Sequence, residues 1–102
     1  MTIGNLTIPA QQIEAFCVKW KLNELSLFGS VLRDDFGPHS DIDVLISFIS
    51  GAKMTFDGFI EMREELSLIF GGRPVDLVEK RLLRNPFRRY EILTTREVLY
   101  AA

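Results

Sequence analysis

The sequence predicts an α+β protein with a small mixed β-sheet and helices packed mainly on one face. Segments with helical spacing of apolar residues alternate with short segments rich in β-branched and aromatic residues. Their order is helix, strand, turn, strand, helix, strand, helix, for which a sheet with helices on one side is the economical arrangement. At 102 residues, we expect residues 1–102 to form a single domain with one core.

The first helix and the first strand follow each other near the N-terminus. Pro9 suits the first helical turn, and residues 21–23 are expected to end the helix. Glu24–Phe28 alternates in polarity and predicts a strand that stops at Gly29. The apolar residues that give the helix its i, i+3, i+4, i+7 face are Ile13, Phe16, Cys17 and Trp20.

The middle of the chain predicts a turn, a loop and a second strand. Ser30–Arg33 has the pattern of a short helix start, and residues 34–40 form a loop because they contain paired aspartates, a glycine and a proline. Asp41–Phe48 is rich in β-branched and aromatic residues, which indicates a strand buried on at least one face.

The C-terminal half predicts helix, strand and helix. Apolar spacing favours a helix from about Thr55 to Phe70, and two glycines then stop it. Pro74–Glu79 is the third strand. Asn85–Leu93 opens with a capping residue and a proline and is expected to be helical, whereas Arg96–Tyr100 fits a short strand or a helical turn.

Composition limits the classes of partner and compartment. Twelve basic against fourteen acidic residues give a net charge of −2, so we expect no direct nucleic-acid binding. The single cysteine, Cys17, favours a reducing compartment. The N-terminus has no pattern of a signal peptide, and no apolar run reaches the roughly 18 residues of a membrane helix. We therefore expect a cytoplasmic protein without membrane contact.

Three aspartates in apolar strands are the candidate metal ligands. Asp41 and Asp43, at i and i+2 on a strand, share one face about 6.5–7 Å apart. Carboxylates this close repel each other, and a divalent cation with a preference for oxygen, such as Mg²⁺, removes that cost. Asp76 completes a triad if its strand pairs beside theirs, and three carboxylates suffice for two metals about 3.5–4 Å apart. The structural alternative is a pair of strand-edge capping residues and a solvent-facing Asp76.

The Gly29-Ser30 turn is a candidate phosphate-binding element. Glycine permits close backbone approach, and free N–H groups at a helix start bind phosphate oxygens. Ser30 adds a hydroxyl donor, and Arg33 can reach the same phosphates about one turn later. Simple N-capping remains an alternative for the turn taken alone. The turn differs from a Walker loop, which needs a second glycine and a Lys-Ser/Thr pair.

Together these motifs resemble the nucleotidyltransferase superfamily typified by DNA polymerase beta. The motifs that carry the resemblance are Gly29-Ser30, the Ser-Asp-Ile-Asp-Val-Leu run of 40–45 and the Val-Asp-Leu-Val run of 75–78. Residues 27–36 and the ending from Asn85 to Tyr100 are similar to its minimal branch, MNT, so the resemblance covers nearly the whole chain.

The resemblance implies a role for each motif residue. It implies the polymerase-beta-like fold, with Gly29 and Ser30 cradling the β- and γ-phosphates of ATP and Arg33 supporting them. By the same resemblance, three aspartates would ligate two Mg²⁺ ions, and the last of them would help to activate an attacking hydroxyl. Those aspartates are Asp41, Asp43 and Asp76.

The resemblance also implies a partner that supplies the acceptor. In the minimal branch this partner is typically a HEPN-domain RNase toxin, and the implied reaction transfers AMP from ATP to a toxin tyrosine, with the transferase acting as antitoxin. One rival is an antitoxin that neutralises by binding alone; another, an antibiotic-modifying transferase, usually needs an additional substrate domain. Four aromatics could form a partner surface, although core packing is the favoured interpretation of each: Phe56, Phe59, Phe87 and Tyr90.

Overall fold

The computed structural model describes residues 2–3, 6–33, 36–37, 39–53 and 55–102. Of the predicted loop 34–40, Asp34, Asp35 and Pro38 therefore lie outside the described residues. The helices are α1 Ala10–Lys19, α2 Phe56–Ile69 and α3 Pro86–Thr95. The strands are β1 Thr2–Ile3, β2 Leu6–Thr7, β3 Leu22–Phe28, β4 Ile42–Phe48, β5 Val75–Glu79 and β6 Glu97–Ala101, and short 3₁₀ turns cover Gly29–Leu32 and Lys80–Leu82.

A four-stranded sheet in the order β5-β4-β3-β6 organises the chain. Strands β4 and β5 are parallel, whereas β3 is antiparallel to both β4 and β6, which confirms the predicted mixed sheet. Among the described residues β5 and β6 are the two edges. The β1–β2 pair, which the sequence did not predict, forms a separate antiparallel ribbon.

The two faces of the sheet bury different sets of residues. Helices α1 and α2 pack with alternate strand residues such as Ile42, Val44 and Ile46, all fully buried, and form the main core. Helix α3 lies against the opposite face, where Leu45 and Ile92 belong to a smaller core cluster. The helices are thus mainly on one face, as predicted, while α3 adds a partial cover to the other.

Caps define where α2 and α3 begin. The Thr55 side chain accepts a hydrogen bond from the Gly58 N–H at 3.0 Å. The Asn85 side chain accepts from the N–H groups of Phe87 at 3.0 Å and Arg88 at 3.2 Å, which satisfies donors that have no partner within the helix. The predicted start of the last helix at Asn85-Pro86 is confirmed.

Helix α1 ends at Lys19 with Trp20 as its cap, so it has stopped by residue 21 as expected, but the next strand begins earlier than predicted. Strand β3 starts at Leu22, which is fully buried, rather than at Glu24. The reversal occurs at Lys21, whose φ of 60° lies in the left-handed region, and Asn23 forms an irregularity in the pairing with β4. Tertiary burial of Leu22 therefore overrides the turn-like local composition. At the other end of the chain, the ambiguous Arg96–Tyr100 segment is resolved as β6.

Three of the four candidate surface aromatics are exposed, so core packing was the wrong interpretation for them. The side chains of Phe56, Phe87 and Tyr90 are 80%, 85% and 72% exposed. Phe59 is half-buried and packs against the main core, as expected. In the described part of the chain, no helix combines the length and apolarity required to cross a bilayer.

Candidate active site

The pairing of β4 with β5 brings two of the predicted aspartates side by side. Asp43 and Asp76 are register partners across the parallel pair, on strands that lie about 4.8 Å apart. Asp41 immediately precedes β4 and, two residues before Asp43, belongs to the same face. The buried residues Ile42 and Val44 face the main core, so the aspartates lie on the opposite side of the sheet.

Burial distinguishes Asp43 from its neighbours. Asp41 and Asp76 are exposed, whereas Asp43 is half-buried. Burial raises the pKa of Asp43 above its ordinary value, and the negative charges of Asp76 and Asp41 raise it further. A hydrogen bond from the Ser30 N–H and the positive charge of Arg33 oppose this rise in the Asp43 pKa but do not cancel it. The carboxylate is thus held at a site that disfavours its charge.

The Gly29-Ser30 turn packs directly against Asp43. Gly29 has a φ of +71°, and a Cβ built on it would overlap the Asp43 Oδ2 and lie 3.2 Å from Cγ. The Ser30 N–H donates to Oδ2 at 3.4 Å, and the Ser30 hydroxyl donates to the Asp41 carbonyl at 3.2 Å. The glycine is therefore required twice, for its backbone conformation and for the approach of the carboxylate. The expected short helix start is a 3₁₀ turn of four residues.

The described residues do not contain three acidic, histidine or cysteine side chains close enough together to hold a metal ion as they stand. The chemistry of the donors nevertheless suits Mg²⁺, because the predicted ligands are carboxylate oxygens and the charges of Asp76 and Asp41 act on Asp43. Arg33 lies at the end of the turn with an exposed side chain. The structure thus gathers the predicted site residues on one face without bringing the carboxylates to a single point.

Comparison with known proteins identifies the family. The family model described as nucleotidyltransferase domain matches residues 10–99. The chain belongs to this family. The match spans every strand of the four-stranded sheet except the end of β6, and it includes both the glycine-serine turn and the aspartates. The protein is therefore a nucleotidyltransferase of the polymerase-beta-like type that the sequence motifs predicted.

Named relatives of this nucleotidyltransferase are protein adenylyltransferases. A segment of 74 residues is 34% identical to a provisionally named protein adenylyltransferase of Methanocaldococcus jannaschii, covering 72% of this chain and 73% of that protein. A segment of 82 residues is 33% identical to the protein adenylyltransferase MntA of Thermococcus cleftensis, covering 80% of this chain and 77% of that protein.

Solved structures share the fold of this nucleotidyltransferase. A chain of a toxin–antitoxin crystal structure with AMP-PNP superposes with a TM-score of 0.72 at 21% identity, covering 92% of this chain and 74% of that chain. A chain of the MntA-HepT toxin–antitoxin structure gives a TM-score of 0.64 at 20% identity, covering 91% and 70%. At these identities the likeness establishes the fold alone.

One residue beside the nucleotidyltransferase site escaped the sequence reasoning. Arg73 lies two residues before β5, the strand that carries Asp76, and its guanidinium donates to the Ser40 carbonyl just before Asp41. An arginine followed by a proline matches no sequence motif, so the role of Arg73 becomes visible only from its contacts in the tertiary structure.

Proposed function

We propose that this nucleotidyltransferase, with residues 1–102 acting as one domain, transfers AMP from ATP to a tyrosine hydroxyl of a cognate HEPN-domain RNase toxin and so acts as its antitoxin. Relatives named protein adenylyltransferases and toxin–antitoxin structures of the same fold, one with AMP-PNP, support this proposal. The observation that carries it is the side-by-side register of Asp43 and Asp76 against the Gly29-Ser30 turn.

The carboxylates of the site would hold two Mg²⁺ ions. Asp41 and Asp76 are exposed, whereas Gly29 and the Ser30 N–H constrain the position of Asp43, so metal binding would require the two exposed side chains to turn towards Asp43. When bound, the ions would offset the negative charge of the triphosphate and polarise its α-phosphorus. The unfavourable charge of Asp43 in the absence of a cation supports this assignment, because cation binding relieves it.

The turn that packs on Asp43 would bind the phosphates. Gly29 leaves room for close approach to the backbone, and the Ser30 hydroxyl, which now donates to the Asp41 carbonyl, would donate to a phosphate oxygen. Arg33, an exposed residue at the end of the turn, would pair with the same phosphates. These groups would hold the pyrophosphate portion while the α-phosphorus lies over the aspartates.

The transfer step would use Asp76 as the proton acceptor. The tyrosine O–H would give its proton to the Asp76 carboxylate as its oxygen forms a bond to the α-phosphorus. The bond from the α-phosphorus to the bridging oxygen would break, and pyrophosphate would leave with that electron pair. Asp76 is exposed on β5, an edge strand of the described sheet, which gives a protein acceptor access to it.

The proposal is tested by labelling. We expect incubation with ATP labelled at the α-phosphate, Mg²⁺ and the cognate toxin to label a toxin tyrosine. The combined substitutions Asp41→Asn and Asp43→Asn should reduce labelling to background, whereas Asp57→Asn, an exposed acid on α2, should leave it unchanged. Label that persists in the double variant would contradict the assigned site.

Neutralisation by binding alone is the second candidate, and the exposed aromatics favour it. Phe87 and Tyr90 lie on α3 with side chains 85% and 72% exposed, as apolar surface available to a partner. On this mechanism, Phe87→Ser with Tyr90→Ser would weaken toxin binding, whereas Leu68→Ser, 77% exposed on α2, would not. Full neutralisation of the toxin by the double aspartate variant would favour this mechanism over modification.

A further inference from the structure

Arg73 binds the segment that joins the glycine-serine turn to Asp41. One guanidinium nitrogen donates to the Gly37 carbonyl and also to the Ser40 carbonyl, the latter at 3.1 Å. The guanidinium carbon lies 4.4 Å from the centroid of the Phe36 ring, within the range of a cation–π contact. Arg73 therefore contacts this segment at three residues, the last of which is adjacent to Asp41.

The segment has local bonds of its own, but these only shape it. The Ser40 N–H donates to the Gly37 carbonyl at 3.1 Å, and the Gly37 N–H donates to the Ser40 hydroxyl oxygen at 3.1 Å. These bonds join residues three apart and cannot fix the segment to the sheet. Phe36, which is buried, anchors one end in the main core. The Arg73 contacts add a tether to a distant part of the chain, because Arg73 comes 36 positions after Gly37 and 33 positions after Ser40.

The backbone of Arg73 is itself fixed to the rest of the fold. Its carbonyl accepts a hydrogen bond from the Ser67 hydroxyl of α2 at 2.7 Å. The next carbonyl, of Pro74, accepts from the Ile42 N–H at 2.9 Å. The backbone at Arg73 is therefore held in place just before β5, the strand that carries Asp76. Through its side chain, Arg73 links this strand to the segment that leads into Asp41 and β4.

The position of the side chain also has a cost. The Arg73 Nε is buried and has no hydrogen-bond partner among the described residues. An unpaired buried donor is unfavourable. The hydrogen bonds of the terminal guanidinium nitrogen and the contact with the Phe36 ring must therefore outweigh the cost of the unpaired Nε. A shorter or uncharged side chain would avoid the cost but would lose the tether.

We propose that Arg73 is a positioning residue for the nucleotide site. Its side chain holds the segment between the Gly29-Ser30 turn and Asp41 in the geometry that nucleotide binding requires. This inference rests on the proposed function for its consequence, whereas the tether itself is independent of nucleotide. Removal of Arg73 is expected to let Phe36, Gly37 and Ser40 move, and with them the backbone that leads into Asp41 and the carbonyl that Ser30 binds.

The test uses Arg73→Ala and, as a matched control, Arg63→Ala. Arg63 also stacks on a phenylalanine, with its guanidinium carbon 5.8 Å from the Phe59 ring centroid, but it lies on α2. Hydrogen exchange without nucleotide reports on the tether, and equilibrium binding of AMP-PNP with Mg²⁺ reports on the site. Guanidinium ion at millimolar concentration, with sodium ion as its control, tests whether the missing group can be replaced.

We expect Arg73→Ala to speed exchange of the Gly37 and Ser40 amides and to weaken AMP-PNP binding by about tenfold or more, as loss of a supporting contact typically does. Guanidinium ion, but not sodium ion, should partly restore both the slow amide exchange and the AMP-PNP binding. A substitution that only destabilised the whole fold would not respond to guanidinium ion in this way. Arg73→Lys should retain only part of the binding, because an ammonium cannot reproduce the planar stacked group.

Wild-type exchange and binding in Arg73→Ala, or losses equal to those of Arg63→Ala, would overturn the inference. So would losses that guanidinium ion leaves unchanged. If the wild-type protein binds no nucleotide, the proposed function fails, and the exchange rates alone decide whether Arg73 holds the segment. If Arg73→Ala does not fold, Arg73→Lys takes its place in the exchange and binding measurements.

Discussion

At the scale of single residues, Gly29 and Asp43 place a carboxylate where its ionised form is unfavourable. Gly29 in its left-handed conformation permits the Asp43 carboxylate to lie against the turn, where burial and two neighbouring carboxylates oppose its ionisation. The Ser30 N–H and Arg33 offset this charge only in part, and a cation of the kind proposed above would relieve the rest. The two residues therefore depend on each other, and each can be tested by one substitution.

Gly29→Ala is expected to lower the free energy of unfolding by about 2–4 kcal/mol, because it adds a steric overlap with Asp43 to the cost of a left-handed alanine. Chemical denaturation measures this change. Gly51→Ala is the control, since Gly51 has a φ of +87° with nothing within 4 Å of an added Cβ. It should lose only about 1–2 kcal/mol. Equal losses in both variants would show that the contact with Asp43 has no energetic weight.

Asp43→Asn is expected to raise the free energy of unfolding near pH 7 without divalent cations. A raised pKa means that folded protein binds the Asp43 proton more tightly than the unfolded chain, so the charged form opposes folding. The advantage of asparagine should shrink as the pH falls through the folded pKa and vanish below the unfolded value of about 3.9. Denaturation across this range measures it, with Glu64→Gln on α2 as the control for charge. A less stable Asp43→Asn at pH 7 would contradict the prediction.

At the scale of elements, the junction between α1 and β3 contains a strained residue. Lys21 has a φ of 60°, and its carbonyl accepts a hydrogen bond from the Ile49 N–H at 2.8 Å, which ties the junction to the end of β4. The buried Leu22 follows at once and begins the strand. The fold thus places a lysine where glycine is ordinarily favoured.

Lys21→Gly is expected to raise the free energy of unfolding by about 0.5–1 kcal/mol, because relief of the left-handed strain exceeds the added freedom of the unfolded chain. Equilibrium denaturation provides the measurement. The matched control is Ala15→Gly in the middle of α1, where glycine should cost about 1 kcal/mol. If both substitutions destabilise equally, the conformation of Lys21 is not a source of strain.

At the scale of the whole molecule, one buried carboxylate joins the first half of the chain to the last. Glu24 of β3 accepts hydrogen bonds from Arg96 at 2.7 Å, Lys80 at 3.2 Å and Ser26 at 2.7 Å. Burial alone raises the pKa of Glu24, but the hydrogen bonds from these partners outweigh it and leave the pKa lowered. The network lies on the α3 side of the sheet and fixes the C-terminal elements to the central strand.

Glu24→Gln is expected to lower the free energy of unfolding by about 2–3 kcal/mol at pH 7, because two partly buried cations lose their counter-charge. A lowered pKa gives stability that is complete above the unfolded value of about 4.3 and is lost as the pH falls through the folded one. The difference from wild type should therefore shrink in acid. Glu65→Gln, which breaks an exposed pair with Lys19, should cost at most about 1 kcal/mol. Similar losses in the two variants would contradict the special role of Glu24.

The elements that sequence predicted well are those with a strong local signal. Apolar spacing located α1 and α2, and the capping pair Asn85-Pro86 located the start of α3. The signal placed the start of β3 at Glu24, two residues late, because long-range burial of Leu22 decided the conformation there. It missed the β1–β2 ribbon, whose two-residue strands are too short to have a period. It also failed for Phe56, Phe87 and Tyr90, since a helical pattern cannot say which apolar side chains stay uncovered.

The sequence by itself determined the residue types of the site and the family, because oxygen ligands and a glycine-serine turn are properties of residues and of their spacing. Tertiary structure alone decided that Asp43 lies beside Asp76 in a parallel pair and that Gly29 must accommodate the Asp43 carboxylate. It also decided that Arg73 reaches the segment before Asp41. Strand register and contacts between distant segments depend on burial of the whole core, which no local spacing encodes.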